Sequence, residues 1–167
     1  MNGEMREHID KFKNFSMKDH LKDHLVESKN IGILYHFTHL MNLYFILESK
    51  TFLTRYNDLP KYNYDYSVSC TRNKSFIWGG IRIMLDGDKI SNRFVIKPVS
   101  YFKFNKSQSE ERIFTNKETF PIFDYIIQID ILEHLKNDDK FDDVQKMLND
   151  NNIKYNLVPN FKGGGGD

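Results

Sequence analysis

Hydrophobic positions along the chain change period several times, and each change marks an element. Residues 4 to 29 read as helical, with Met17, Leu21 and Leu25 on one stripe and charged residues filling the rest. The run Ile31 to Phe37 (IGILYHF) is short, apolar and β-rich, and Thr38 behind it suits a helix N-cap. HLMNLYFILESK then places Leu40, Leu43, Tyr44 and Leu47 at helical spacing, so this stretch predicts a strand, a capped turn and a helix. TRYNDLPKYNYDY is polar, rich in tyrosine and broken by Pro60, and reads as a loop.

From Tyr66 the period returns to two. YSVSCT sets Tyr66, Val68 and Cys70 on one face and Ser67, Ser69 and Thr71 on the other. After the break at Trp78-Gly79-Gly80, Ile81, Ile83 and Leu85 alternate with Arg82, Met84 and Asp86 up to the turn dipeptide Asp86-Gly87. RFVIKPVSYFKF predicts one or two strands around Pro98, and KSQSEERIF a short strand behind a polar approach. IFDYIIQIDI is the most apolar strand candidate, and DDKFDDVQKMLNDN a helix with Phe141, Val144 and Leu148 in register. IKYNLVP reads as a last strand and GGGGD as a flexible tail. About six short strands with few interleaved helices predict an α+β fold with a mostly antiparallel or mixed sheet.

A length of 167 residues fits one domain, expected over 1–162 with a helical segment at 1–30 and the tail at 163–167. The composition, 28% charged and 40% hydrophobic, is globular. Apolar runs fall short of the ~20 residues that span a bilayer, and MNGEMREHIDKFK lacks the apolar stretch of a secretory signal. A cytoplasmic setting without membrane association is therefore expected. The lone Cys70 has no disulfide partner and reads as a small core residue. With 24 basic and 23 acidic residues, no global field advertises nucleic acid. Arg72, Lys74, Arg82, Lys89, Arg93, Lys97, Lys103 and Lys106 still give the middle third a basic bias suited to a nucleic-acid partner.

Phosphate loops, dinucleotide-binding glycine fingerprints, Cys-x-x-Cys pairs, His-Glu-x-x-His helices and Gly-x-Ser-x-Gly elbows are missing from the sequence. His20 and His24 stand four apart on the first helix without a third metal ligand in the motif, and read as exposed. Asp86 and Asp88 read as turn formers rather than as a nuclease metal site.

Three segments resemble, in order, the motifs of ADP-ribosyltransferase-fold proteins, the superfamily of the DarT-type DNA-modifying toxins and the RNA 2'-phosphotransferases. LYHFTHLMNLYFILES resembles their opening strand and helix, YSVSCTRNKSF the Ser/Thr strand beside the nicotinamide pocket, and QSEERIF the Gln/Glu-x-Glu at the mouth of a later strand. The likeness implies a split, mostly antiparallel sheet and NAD as co-substrate, with nicotinamide expelled and ADP-ribose transferred to nucleic acid or protein. It also implies roles. Glu110 or Glu111 would be the catalytic carboxylate, Gln108-Ser109-Glu110 pointing to Glu110, and neighbours on a strand face opposite ways so that only one enters the cleft. His36 would bind ribose or the nicotinamide amide, and Ser69 and Thr71 would line the cleft. Arg72 would meet the pyrophosphate or act in catalysis. Thr38 is either a pocket donor or the helix cap. Arg82 alternates with core residues and is a candidate for the same cleft, while Tyr62, Tyr64 and Tyr66 compete as the stacking aromatic.

The first motif carries His rather than the Arg of arginine-specific toxins, and Gln108 replaces a first Glu. Both departures argue against arginine as acceptor. The resemblance further suggests a toxin, antidefence factor or host-directed modifier. Two rival readings are a non-catalytic nucleotide- or nucleic-acid-binding module on the same fold and a small nucleic-acid-binding or nuclease-type protein using the basic strands and tyrosines.

Overall fold

The computed structural model describes residues 31–56, 64–76, 78–98 and 110–161. The expected first helix over 4–29, with His20 and His24, lies outside the described residues. So do Tyr62 and Gln108. The architecture that follows belongs to the unit beginning at Gly32.

That unit is α+β, built on a mixed, mostly antiparallel eight-stranded sheet. In chain order the strands are β1 (Ile33–Thr38), β2 (Phe52–Leu53), β3 (Arg55–Tyr56), β4 (Tyr66–Thr71), β5 (Ile81–Asp86), β6 (Val95–Pro98), β7 (Glu110–Thr115), β8 (Thr119–Phe120), β9 (Ile126–Leu132) and β10 (Tyr155–Val158). The helices are α1 (Leu40–Ser49), α2 (Gly87–Ser91) and α3 (Phe141–Asp150). Across the sheet the order is β10-β9-β5-β1-β4-β7-β6, with β3 added beside β4 and β2 paired separately with β8. β9 and β10 alone among these pairs run parallel, as a crossover through α3 requires. Pro98, which has no amide hydrogen for a ladder, sits in the edge strand β6.

Cross-strand partners share a face. Leu34, His36 and Thr38 of β1 pair with Leu85, Ile83 and Ile81 of β5, and Ile83 and Ile81 pair with Ile129 and Ile131 of β9. Apart from His36 and Thr38 this face is aliphatic, and its aliphatic residues and Thr38 are buried. The buried stripes of α1 (Leu40, Leu43, Ile46, Leu47) and α3 (Phe141, Val144, Leu148) complete the core, and the two helices pack against each other. The opposite face of the same strands carries Tyr35, Arg82, Met84, Gln128 and Asp130.

Three local expectations change. Thr38 does not cap α1: it is the last residue of β1, and His39 takes the N-cap position without a side-chain cap bond. Arg55 and Tyr56, read as loop, form β3 because Ser67 and Tyr66 offer them a free strand edge. Asp86 ends β5 as expected but starts a short helix, its carboxylate accepting from Lys89 N at 2.9 Å.

Gly79 holds the end of β1 in place. Its φ is +73°, and a Cβ there would lie 2.2 Å from the Thr38 carbonyl oxygen. Left-handed strain and a collision with backbone act together. We expect Gly79→Ala to lower stability by at least about 2 kcal/mol; urea denaturation of the two proteins measures it, and a loss under about 0.5 kcal/mol would contradict this packing.

Candidate functional site

The sheet is nearly divided between β1 and β4. β1 pairs with β5 over its whole length, from Ile33 opposite Asp86 to Thr38 opposite Ile81, yet meets β4 only at Tyr35 opposite Thr71. Further along the same edge of β4, β3 takes over at Ser67. Ser69 lies between these contacts with the same outward parity, so its carbonyl lacks a strand partner on that side. His36 supplies one: its Nδ1 stands 2.8 Å from Ser69 O. A carbonyl only accepts, so Nδ1 carries the proton and Nε2 of the neutral ring is an acceptor. The ring also packs on Phe52, with centroids 4.5 Å apart. Burial pushes its pKa down, the Ser69 carbonyl works against this, and the Arg55 charge adds to the lowering.

The two carboxylates take opposite faces, as adjacent strand residues must. Glu110 pairs with Thr71, and Arg112 with Ser69. On that face Glu110 Oε1 accepts from Ser69 Oγ at 2.8 Å and from Arg112 Nε at 3.0 Å. Glu111 pairs with Cys70 on the other face. Since Tyr35 pairs with Thr71, the next residue, His36, falls on the Cys70 and Glu111 face. Glu111 is only 6% exposed, and its Oε1 accepts from Arg72 Nε at 2.6 Å, while the Arg72 side chain is 45% exposed. Glu111, with its partner Arg72, thus shares the sheet face of His36, while Glu110 lies on the opposite face with Ser69 and Arg112.

Other candidates fall elsewhere. Arg82 pairs with Phe37, which turns it to the face away from His36. Its Nε and Nη2 donate to Asp130 Oδ2 at 3.1 and 2.5 Å, and Nη1 donates to the carbonyls of Lys74 (2.5 Å) and Phe161 (3.4 Å). Thr71 is buried, and its Oγ1 accepts from Asn73 N at 2.9 Å, shaping the turn that carries Arg72. Tyr66 shares the Glu111 face but stands four residues along the strand, its hydroxyl donating to Glu118 at 3.2 Å. Tyr64 packs on Phe114, which lies on the Ser69 face. Thr38 is buried on the His36 face.

Cys70 is a core residue as read. Burial, then the charges of Glu111 and Glu110, push its thiol pKa up and disfavour the thiolate. Asp130 was missed. An acid inside the apolar run IIQIDI signals a buried ion pair, because an unpartnered charge could not stay there. Phe52, Arg55 and Arg112 carried no local signal. Across the sheet from His36 lies a concavity of about 400 Å³ walled by Tyr35, Arg82, Met84, Gln128, Asp130 and Asn156 among others. Of the candidate site residues Arg82 lines it, with Tyr35 and Lys74 from the first two motifs, whereas His36, Ser69, Thr71, Arg72, Glu110 and Glu111 do not.

No protein-family model and no curated protein matches the chain.

Two measurements check this geometry. Because the His36 pKa is lowered in the folded state, its contribution is fully present above the ordinary value of 6.5 and is lost as pH falls from there toward the folded-state value. Ring-nitrogen NMR should report an Nδ1–H tautomer titrating below 6.5, and His36→Gln should flatten the stability loss between pH 7.5 and 5.5; a midpoint at or above 6.5 would refute the assignment. Cys70 in the native protein should resist iodoacetamide at pH 8 and react only on unfolding; rapid native alkylation would place the thiol at the surface.

Proposed function

We propose that the protein is a cytoplasmic, NAD-dependent ADP-ribosyltransferase that expels nicotinamide and passes ADP-ribose to a macromolecular acceptor. The observation that carries this reading is the Arg72–Glu111 pair on the same sheet face as His36, beside the split between β1 and β4. These residues come from three separate motifs, in the order the resemblance implies.

The residues fit the substrate chemically. In the transfer, the bond from ribose C1' to nicotinamide breaks with its electron pair leaving on nicotinamide, and an acceptor atom bonds to C1' and gives up a proton. Glu111, in a water-poor position, faces the positive charge that develops on the ribose and strengthens its interaction as that charge grows. The same carboxylate takes the acceptor's proton. Arg72 meets the pyrophosphate, whose negative charge competes with Glu111 for the guanidinium and thereby releases the carboxylate. His36 accepts a ribose hydroxyl hydrogen at Nε2 while Nδ1 stays on Ser69 O. Glu110, tied to Ser69 and Arg112 on the other face, is a structural carboxylate.

A nucleic-acid acceptor suits the exposed basic residues Lys74, Lys89 and Arg93, and protein is the second acceptor class. Among the described residues, no helix is long and apolar enough to cross a membrane. One observation favours the rival binding-module reading: Glu111 is already neutralised by Arg72.

Labelled NAD incubated with DNA, RNA and lysate protein separates the two. Wild type should transfer label, Glu111→Gln should lose on the order of 100-fold or more, and Glu110→Gln should stay within about fivefold. NAD binding without transfer by wild type would establish the module; equal loss in both variants would remove Glu111 from its assigned role.

A further inference from the structure

The concavity on the sheet face away from His36 has a defined polarity. Its floor is the Arg82–Asp130 pair, both partners at most 5% exposed. Asp130 Oδ2 is used by Arg82, and Oδ1 accepts from Gln128 Nε2 at 2.8 Å and from Asn156 Nδ2 at 3.4 Å. A carboxylate only accepts, so both side-chain amides must turn their NH2 groups toward it. Their carbonyl oxygens are thereby turned away from Asp130, and both residues line the concavity. Each side chain thus keeps an amide oxygen that Asp130 does not use, on a residue lining the concavity.

The remaining walls add an aromatic ring and a charge. Tyr35 lines one side, its ring 5.7 Å from the Arg82 guanidinium, and Met84 and Val158 are apolar. With Arg82 neutralised by Asp130, the exposed Lys74 on the lining carries the positive charge. A volume of about 400 Å³ falls within the range of small-molecule sites, ~300–1,000 Å³.

We propose that this concavity binds a nucleotide whose base carries an exocyclic amino group. The amino hydrogens meet the Gln128 and Asn156 oxygens, the planar base lies against Tyr35, and Lys74 faces the phosphate. A base with a carbonyl oxygen in place of the amino group would set oxygen against oxygen and be rejected. The ligand is either a free mononucleotide or one base of a single strand, and the site is independent of the transferase reading because it lies on the other face of the sheet.

Calorimetry on the full chain with AMP, CMP, IMP and UMP tests this. AMP and CMP should bind saturably, with IMP and UMP at least about tenfold weaker. Gln128→Leu/Asn156→Leu should abolish the preference for amino-bearing bases. Lys74→Glu, a change of an exposed side chain that leaves the core intact, should weaken AMP at least about tenfold but leave adenosine unchanged. The preference for AMP over IMP should persist in His36→Ala and Glu111→Gln and vanish in Gln128→Leu/Asn156→Leu, so failure of the transferase reading and failure of this site are told apart. Tighter binding of single-stranded oligo(dA) than of AMP identifies a strand as the source, and the reverse identifies the free nucleotide. No saturable binding of AMP or oligo(dA) at millimolar concentration, equal affinity for AMP and IMP, or AMP binding lost in Glu111→Gln but kept in Lys74→Glu would each overturn the proposal.

Discussion

The hydrogen bond from His36 to the Ser69 carbonyl is the contact on which the site depends. A central pair of strands that meets at one position leaves backbone groups needing partners. His36 answers that need with a side chain in place of a neighbouring strand. It ties β1 to β4 beyond their one paired position. It also fixes the tautomer of the imidazole, so Nε2 has a defined role as an acceptor.

Around that contact, charge is arranged by face. On one side of β7, Glu110 is consumed by Ser69 and Arg112; on the other, Glu111 is held by an arginine that is partly in solvent. The second arrangement is the one a ligand can exchange with, because a half-exposed guanidinium can change partner at modest cost while a doubly bonded carboxylate cannot. A third charge pair, Arg82 with Asp130, is closed to water and acts as a structural pin that also ties down the turn carrying Arg72 through the Lys74 carbonyl. Removing one partner of such a pair leaves a buried charge, at a cost of about 3–5 kcal/mol.

Much of the frame was legible in the order of residues. The alternation in YSVSCT placed Ser69 and Cys70 on the faces they occupy, and the helical stripe of Phe141, Val144 and Leu148 is the buried stripe of α3. β10 followed from IKYNLVP, and the α+β class from the density of short strands. Legibility failed where a partner distant in the chain decides. Arg55 and Tyr56 become a strand only because β1 leaves the edge of β4 open, and Thr38 continues β1 because Ile81 pairs with it.

The sequence by itself determined which residues alternate, which stripes are apolar, and that only one of two adjacent glutamates could enter a given cleft. Those are properties of neighbours, and strand and helix periods transmit them without knowledge of the rest. Tertiary structure decided which sheet face each glutamate takes, which way Arg82 faces and what neutralises it. Facing is inherited from register, and the register of β1 with β4 hangs on one pair, Tyr35 with Thr71, brought together from 36 positions apart. No local pattern contains that pairing, because it is set by how the whole sheet buries its aliphatic face.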